Sequence, residues 1–527
     1  MIQRDAGEIS AGLEPTRAAR PIPPGERIHV VGAGGAAAAA ACLLAGHFGA
    51  RASGCDAGGP SQYTQPLQDA GIPLSWTHDP AHVVRDGLLL VDRLAVTKAL
   101  TSVQPDHPEL LAARSRGIPL TSVQQLIADS AATRGAALVG VAGTHGKSTT
   151  TGWLLHLLAV AGLDPSGFVG ALLPPALVGG PRPSTVRFGG GRLFVVEADE
   201  YAGNFDPYRP VIGALTNADW DHPDVFADRA AVVATFGAWI RRFDGGGEDP
   251  VLVANAGDPG VRDVLGGLRD WPGWLVAVRV VGADEDPAVA AAALVGTHAT
   301  ARGPATAIAG RWQVTSPGEG SLEMAGLSAA GTVTARLHLS GRHNAENGLV
   351  AAGAALAAGA RVPAILDGLA SFTGVGRRLE QKGEVDGVVV LDDYGHHPTA
   401  IAATFAAVAD RYPGRRLWAV YEPLTFHRTA AMLHEFAEVL ARADRVAIAE
   451  IHAGRDPDTT ITSAQALADA VNARGRASAS APGSVESTAD WLAPRVERGD
   501  VVLVMGGGRS YVIAERLLAH LRARAAG

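Results

Sequence analysis

"VAGTHGKSTTTGWLL" (residues 141–155) sets a glycine turn, a lysine and a run of hydroxyls between two apolar stretches of different character. "AALVG" before it has the length of a strand, and "GWLLHLLAVAGL", which continues from Gly152, reads as a helix. Strand, glycine-rich turn and helix in that order make a phosphate-binding loop. Glycines let the backbone curl so that successive N–H groups face phosphate oxygens. The helix start adds the positive end of its dipole. Lys147 is then placed for the β- and γ-phosphates, and the Ser148 hydroxyl for Mg²⁺. Gly143, Thr144, His145, Gly146, Lys147, Ser148 and Thr149 are therefore expected to bind a nucleoside triphosphate. One departure stands out: the strict pattern has a glycine where this chain has Val141. The bland alternative is an ordinary glycine turn with a solvated lysine.

Two further motifs end strand-like runs. "VVEADEYAGNF" carries Glu197, Asp199 and Glu200, and "TNADWDHPDVF" carries Asp219, Asp221 and His222. Ligands collect at the carboxyl ends of strands in open α/β sheets, and carboxylates there suit Mg²⁺. Each motif alone also reads as solvated loop charge. "HVVGAGGAAAAAACLLAG" is a glycine turn feeding an alanine-rich helix, so Gly32, Gly34 and Gly35 are candidates for a pyrophosphate, or form a tight turn with no ligand. "SGRHNAENGLVAAGAAL" offers His343, Asn344 and Asn347 to a base or ribose, with helix capping by Asn344 an equal reading. "GVGRRLE" offers Arg377 and Arg378 to phosphate oxygens, and "LDDYGHHPTAI" ends a strand with Asp392, Asp393, Tyr394, His396 and His397.

Strand-like runs recur between helical patterns: "RIHVVGAGG", "GLLLVD", "AALVGVAG", "RLFVVEAD", "VIGALTNAD", "VLVAN", "GVVVLDD", "LWAVYEP", "RVAIAEI" and "VVLVMGGG". The alternation predicts α/β architecture with mainly parallel sheets. At roughly 150 residues per domain, 527 residues suggest about three domains. The expected division is a flexible extension over 1–26, then domains over 27–127, 128–372 and 373–527. Within the second, residues 282–335 carry weaker signals that suit a small antiparallel sheet. The polar stretch "SFTGVGRRLEQKGEVDG" marks the last boundary.

The chain is 47% hydrophobic, with 45 basic against 53 acidic residues, a net charge of −8. That balance advertises neither a nucleic-acid nor an anionic-membrane partner. Two cysteines, Cys42 and Cys55, read as buried free thiols rather than a disulfide framework. The N-terminus lacks the apolar core of a signal peptide, and no run of about 18 apolar residues appears. A soluble cytoplasmic protein without membrane insertion is expected.

"GTHGKSTTT", "VEADEY", "DHPD", "GRHNAENGLVA", "GRRLE", "DDYGHHPTAI" and "EIHAGRDPD" occur in the order found in the Mur ligase family, which the chain resembles over residues 27–508. The resemblance implies a Rossmann-like N-terminal domain for a UDP-sugar, a central P-loop ATPase-like domain, and a Rossmann-like C-terminal domain that closes over both. It implies an ATP- and Mg²⁺-dependent ligase that joins L-alanine to the lactyl carboxylate of UDP-N-acetylmuramate through an acyl phosphate. A ligase that joins a preformed tripeptide to the same sugar nucleotide, or a silent ligase-like binding protein, are the alternatives. It further implies a monomer or weak homodimer. Carried over by position, Lys147, His222, Arg377 and His396 are catalytic. Ser148, Glu197 and His222 hold metal. Asn344, Asn347, Arg377 and Asp393 contact ATP. Gly32, Gly34, Gly35 and Asp56 hold the UDP-sugar. Tyr394, His396 and Arg428 form the amino-acid pocket. The chain departs from the family pattern at Leu424 and Thr425, where a histidine and an arginine are usual. It departs also at Ala202, usually an aspartate, and in the alanines that follow Gly35.

Overall fold

The computed structural model describes residues 6–454, 456 and 458–526. Residues 1–5 of the expected extension, and Arg455 and Pro457 of "EIHAGRDPD", lie outside the described residues. Three sheets carry the architecture. The N-terminal sheet has five parallel strands in the order Leu74–Ser75, Arg51–Cys55, Arg27–Val31, Arg93–Val96 and Leu120–Ser122. The central sheet has ten strands. Its parallel body runs through Leu193–Glu197, Ala137–Ala142, Ile212–Leu215, Val251–Asn255 and Trp274–Val281. The C-terminal sheet has six strands, with Val388–Asp393, Val501–Gly506, Leu417–Glu422 and Arg445–Ala449 forming its parallel centre.

The body strands are buried on both faces, which is why their sequences read as unbroken apolar runs. Helix Lys147–Val160 lies on one face beside helices Arg342–Ala357 and Val362–Ser371. Its Trp153 is fully buried and stacks on Phe372 at 5.0 Å between ring centres. Gly348 on the neighbouring helix leaves room for that indole, since a Cβ there would stand 3.1 Å from it. On the other face Trp239, fully buried, stacks on Phe205 at 4.9 Å and donates its indole N–H to the Tyr208 carbonyl at 3.2 Å. Burying each such ring contributes on the order of 2–3 kcal/mol, so Trp153→Ala would open a cavity under the phosphate loop.

Three expectations are corrected. The segment 282–335 forms no more than a two-stranded antiparallel ribbon of its own, Ala299–Thr300 with Gly303–Pro304. Thr306–Ser316 pairs parallel with Trp274–Val281, and the antiparallel strands Glu319–Ser328 and Gly331–Leu337 extend the same sheet from it. "GLLLVD" is not the sheet strand. Leu88–Leu89 pairs with Val84–Arg85 in a small hairpin with Leu88 69% exposed, and Arg93–Val96 enters the sheet instead. The described part of the expected flexible extension is anchored. Ile9 and Ile22 are buried, Arg17 pairs with Asp129 at 2.6 Å, and the Thr101 hydroxyl donates to the Ile9 carbonyl at 2.6 Å. Two C-terminal strands, Glu380–Val385 and Ser478–Gly483, escaped the sequence reading because both are partly exposed edges of low apolar content.

Candidate active site

Strand Ala137–Ala142 delivers the chain into Gly143 at φ 137°, and Gly146 at φ 78° sits just before helix Lys147–Val160. Both positions require glycine for space as well as for backbone angle. A Cβ on Gly143 would strike the Thr216 hydroxyl, and one on Gly146 the Asn347 side chain. The loop is stapled to the next strand end. Thr144 exchanges hydrogen bonds with the Asp219 backbone at 3.0 Å, and the His145 N–H donates to Asn217 Oδ1 at 2.7 Å.

Lys147 Nζ donates to Glu200 Oε2 at 2.8 Å and stands 3.8 Å from Asp199. Burial pulls the ammonium down, but the Glu200, Asp199 and Glu197 carboxylates outweigh it, and its pKa lies above the ordinary lysine value. Burial also pushes Glu200 up to about 7 against the pull of Lys147. Ser148 Oγ donates to Glu197 Oε1 at 3.1 Å, while the other Glu197 oxygen accepts the Gly170 N–H at 2.7 Å. Asp199, Glu200 and His222 offer ligand atoms that all lie within 4.8 Å of one another. Oxygen donors on Ser148, Glu197, Asp199 and Glu200 are the chemistry Mg²⁺ prefers, with the His222 imidazole beside them.

Two cavities flank the loop. One, about 380 Å³, is lined by Gly146, Thr149, His343, Asn344, Asn347 and Asp393. Asn344 lies inside its helix and donates to the Ser340 carbonyl at 2.8 Å, while Gly341 precedes the helix, so the capping alternative is overturned. Burial lowers His343 to about 4, with Asp393 pulling the other way. Asp393 accepts the Leu379 and Gly395 N–H groups at 2.8 and 2.7 Å. The other cavity, about 340 Å³, brings Lys147, Ser148, Glu197, His222, His396 and Arg428 around one space. Ala36 and Ala37 line it too, so the N-terminal glycine turn opens towards the same cavity. In that turn Gly32 has φ 81°, and Asp56 accepts the N–H groups of Gly34 and Gly58, each at 2.8 Å. Gly35 donates its N–H back to the Gly32 carbonyl at 3.1 Å. The Asp56 carboxylate therefore holds the turn.

The C-terminal residues sort differently from their expectation. Arg377 does not face the loop. At φ 57° it turns its guanidinium inward to Asp392 at 3.2 Å, the Gly506 carbonyl at 2.9 Å and the Ser510 hydroxyl at 2.8 Å. Arg378 faces it instead, donating to Ser148 Oγ at 2.9 Å with its charge 4.7 Å over the Tyr394 ring. His396 Nδ1 stands 2.8 Å from the Tyr394 carbonyl, which can only accept, so Nδ1 carries the proton and Nε2 is the ring's acceptor. Burial, reinforced by Arg428, holds the His396 pKa well below the ordinary histidine value.

Arg428 is 1% exposed and donates to Asp221 at 2.8 Å, with a second nitrogen 3.2 Å from His222 Nδ1. Its Nη1 is buried with no hydrogen-bond partner among the described residues. Thr425, at φ 65°, caps the helix Phe426–Ala431 that carries Arg428, and its hydroxyl accepts the Arg428 N–H at 3.4 Å. His427 is occupied by Asp456 at 3.0 Å. Sequence reasoning also missed Lys98, which is buried and donates to the Ala202 carbonyl at 2.7 Å, where Ala202 has φ 48°. His145, Asp219 and His397 were each singled out in separate motifs, but no local pattern signalled that they meet across domains.

Three family profiles match the chain: "Mur ligase family, catalytic domain" over residues 27–134, "Mur ligase middle domain" over 141–355 and "Mur ligase, glutamate ligase domain" over 377–508. A UDP-N-acetylmuramate–L-alanine ligase of Kineococcus radiotolerans is 36% identical over 93% of this chain and 95% of its own length. One of Mycolicibacterium vanbaalenii is 34% identical over 95% and 97%. Among solved structures, the UDP-N-acetylmuramate–alanine ligase of Thermotoga maritima matches with a TM-score of 0.73 at 20% identity, over 94% of this chain and 99% of that one. A murein peptide ligase of Psychrobacter arcticus matches with a TM-score of 0.67 at 23% identity, over 94% and 99%. These two structural likenesses speak to the fold.

Proposed function

The chain belongs to the Mur ligase family, and on that premise we propose that it joins L-alanine to the lactyl carboxylate of UDP-N-acetylmuramate with ATP and Mg²⁺. The relatives at 36% and 34% identity carry that name across almost their whole length. The observation that carries the reading is the single cavity around which Lys147, Glu197, His222, His396 and Arg428 converge from two domains.

A carboxylate is a poor electrophile, and ATP with Mg²⁺ supplies the phosphoryl group that gives it a leaving group. Gly143 to Thr149 cradle the phosphates. Ser148, Glu197 and His222 would hold Mg²⁺. Lys147, held charged by its carboxylate neighbours, and Arg378 face the negative charge that develops during transfer. Arg377 acts from behind as a positioning residue for the segment that presents Arg378. The incoming amino acid must lose an ammonium proton before it attacks, and His396 Nε2 is the neutral acceptor for it. Arg428 Nη1 offers one donor to the amino-acid carboxylate, with Asp221 fixing the rest of the guanidinium. Apposition of the C-terminal domain keeps water from the activated carboxyl group.

We place the reaction in the cytoplasm, with the protein acting as a monomer or weak homodimer. Among the described residues no helix is long and apolar enough to cross a membrane. The test is ATP-dependent phosphate release with UDP-N-acetylmuramate, run against single amino acids and a tripeptide. Release with L-alanine above all others is expected. Release with the tripeptide alone would replace this reading by the recycling ligation, and no release with any acceptor would remove both.

A further inference from the structure

Outside this site the N-terminal domain buries a second constellation that ligation does not use. His29 lies on strand Arg27–Val31, Cys55 ends strand Arg51–Cys55, His82 ends the turn Pro80–His82, and Glu109 starts helix Pro108–Ser115. Their ligand atoms all lie within 4.8 Å of one another. The parallel register pairs His29 with Ser53 and Val31 with Cys55, so strand alternation turns His29 and Cys55 to one face. Glu109 reaches in from the helix. Its Oε1 stands 3.1 Å from His82 Nδ1 and 3.2 Å from Cys55 Sγ, and its Oε2 3.3 Å from His29 Nε2.

The surroundings are wrong for a chance polar group. Val31, Val83, Leu94, Val96 and Leu110 enclose Cys55 in an apolar cluster. Glu109 and Cys55 are fully buried and His29 is 3% exposed. A carboxylate in such a place is costly unless its charge is answered. His29 Nδ1 is engaged by the Ser53 hydroxyl at 2.8 Å, which turns Nε2 into the cluster, where it is buried facing Glu109 at 3.3 Å without forming a well-aligned hydrogen bond. An orienting hydrogen bond on the outer ring nitrogen is how metal-bound histidines are held. Tetrahedral Zn²⁺, with bonds near 2.0–2.3 Å, places its ligand atoms roughly 3.3–3.7 Å apart, close to the spacings found around Glu109. One thiolate, one carboxylate and two neutral imidazoles carry the charge that a divalent ion cancels. The mixed sulfur, nitrogen and oxygen set favours a borderline-soft ion over Mg²⁺ or Ca²⁺.

We propose that His29, Cys55, His82 and Glu109 form a structural site for a divalent transition-metal ion of the zinc class. Four protein ligands leave no open position for substrate. The Cys55 carbonyl accepts the N–H groups of Gly32 and Ala33, both at 2.9 Å, and Asp56 follows it. The ion thus pins the root of the glycine turn from behind, and this assignment stands whichever substrate the turn holds.

The test uses the full-length protein stripped with a chelator and titrated with Co²⁺. The stripped protein is expected to take up about one Co²⁺ with a thiolate-to-cobalt charge-transfer band, because the thiolate is the ligand that gives such a band. Cys42 and Cys55 are the only two cysteines in the chain, so Cys42→Ala should keep the band and Cys55→Ser should lose it. Co²⁺ held by the carboxylates and imidazoles near Lys147 gives no thiolate band and is thereby distinguished. His82→Gln, read by Co²⁺ competition, should weaken binding at least tenfold, and it decides the matter if Cys55→Ser does not fold. A missing band in the parent protein, a band that survives Cys55→Ser, or unchanged affinity in His82→Gln would overturn the site in favour of a metal-free histidine–carboxylate network.

Discussion

Asp221 and Arg428 are 207 positions apart in the chain, yet their side chains meet at 2.8 Å with both almost fully buried. Asp221 follows a strand of the central domain and Arg428 sits on a C-terminal helix, so the pair ties the two across the cavity. The Arg428 guanidinium, helped by nearby histidines, offsets the cost of burial and holds the Asp221 carboxyl well below its ordinary pKa. Removing one partner of such a pair strands the other charge, at about 3–5 kcal/mol. Asp221→Ala and Arg428→Ala should each cost that in urea unfolding, and the double variant clearly less than their sum. Additive losses would mean the two charges act independently.

Arg377 and Arg378 are expected to fail differently. Arg378→Ala should lower kcat roughly 10²-fold with little change in thermal midpoint, because it removes a cation from the phosphate side of the cavity. Arg377→Ala should lower the midpoint by several degrees, since it leaves Asp392 buried without its cation. Thermal melts beside steady-state rates separate the two, and the opposite pattern would restore Arg377 to the phosphates.

Lys147→Ala should abolish ligation, with at least about 10²-fold lost in turnover at saturating ATP. Its fold should survive, because Glu200, with a pKa of about 7, takes up a proton once the ammonium is gone. An intact turnover number would remove the phosphate loop from the reaction.

Thr425 departs from the arginine that the family resemblance leads one to expect, and introducing an arginine there is not the remedy it looks like from sequence. Thr425 is 7% exposed and caps the helix of Arg428. Thr425→Arg should therefore cost about 1 kcal/mol through the lost cap and raise the KM for L-alanine. A lowered KM would mean that the pocket accepts a second cation there.

Mild acid should destabilise the protein through its buried histidines. Burial, aided by His145, holds His397 at about 4, with its ring 5% exposed. Burial lowers His343 and His396 likewise. Between an unfolded value near 6.5 and about 4, the unfolded chain binds protons that these folded rings refuse, so stability falls as pH falls. His397 alone accounts for about 3 kcal/mol by the bottom of that window. Glu200 works in the opposite sense, binding a proton in the folded state between about 4.5 and 7. Asp392, raised by burial to about 6, works alongside Glu200, yet urea midpoints should still drop from about pH 7 to about pH 5, because the three rings refuse more protons across that window than these two carboxyl groups take up. A flat profile would mean these rings titrate normally.

What the sequence disclosed followed the range of its signals. The phosphate loop was legible because Gly143, Gly146, Lys147 and Ser148 are neighbours whose geometry is local. The strand ends bearing Glu197 and His222 were legible because apolar runs stop there. Arg377 and Arg378 were both offered to phosphates because adjacent residues share every sequence property, and the left-handed backbone at Arg377 decides which one turns inward. "GLLLVD" misled because its leucines cover a surface hairpin rather than a sheet. The pairing of Arg428 with Asp221, and of His29 with Glu109, is tertiary, and no periodicity reports it.

The contacts that join the C-terminal domain to the central one are mostly polar. Arg428 meets Asp221, Arg378 meets Ser148, Thr399 donates to Asp219 at 2.9 Å, and His397 meets the Trp220 carbonyl at 3.1 Å. Water can take over each of these partners when the domains part, whereas a greasy seam would resist wetting. The domain is therefore attached like a latch rather than welded. Breaking the buried pair with Arg428→Ala should loosen it, seen as a larger radius of gyration in small-angle scattering.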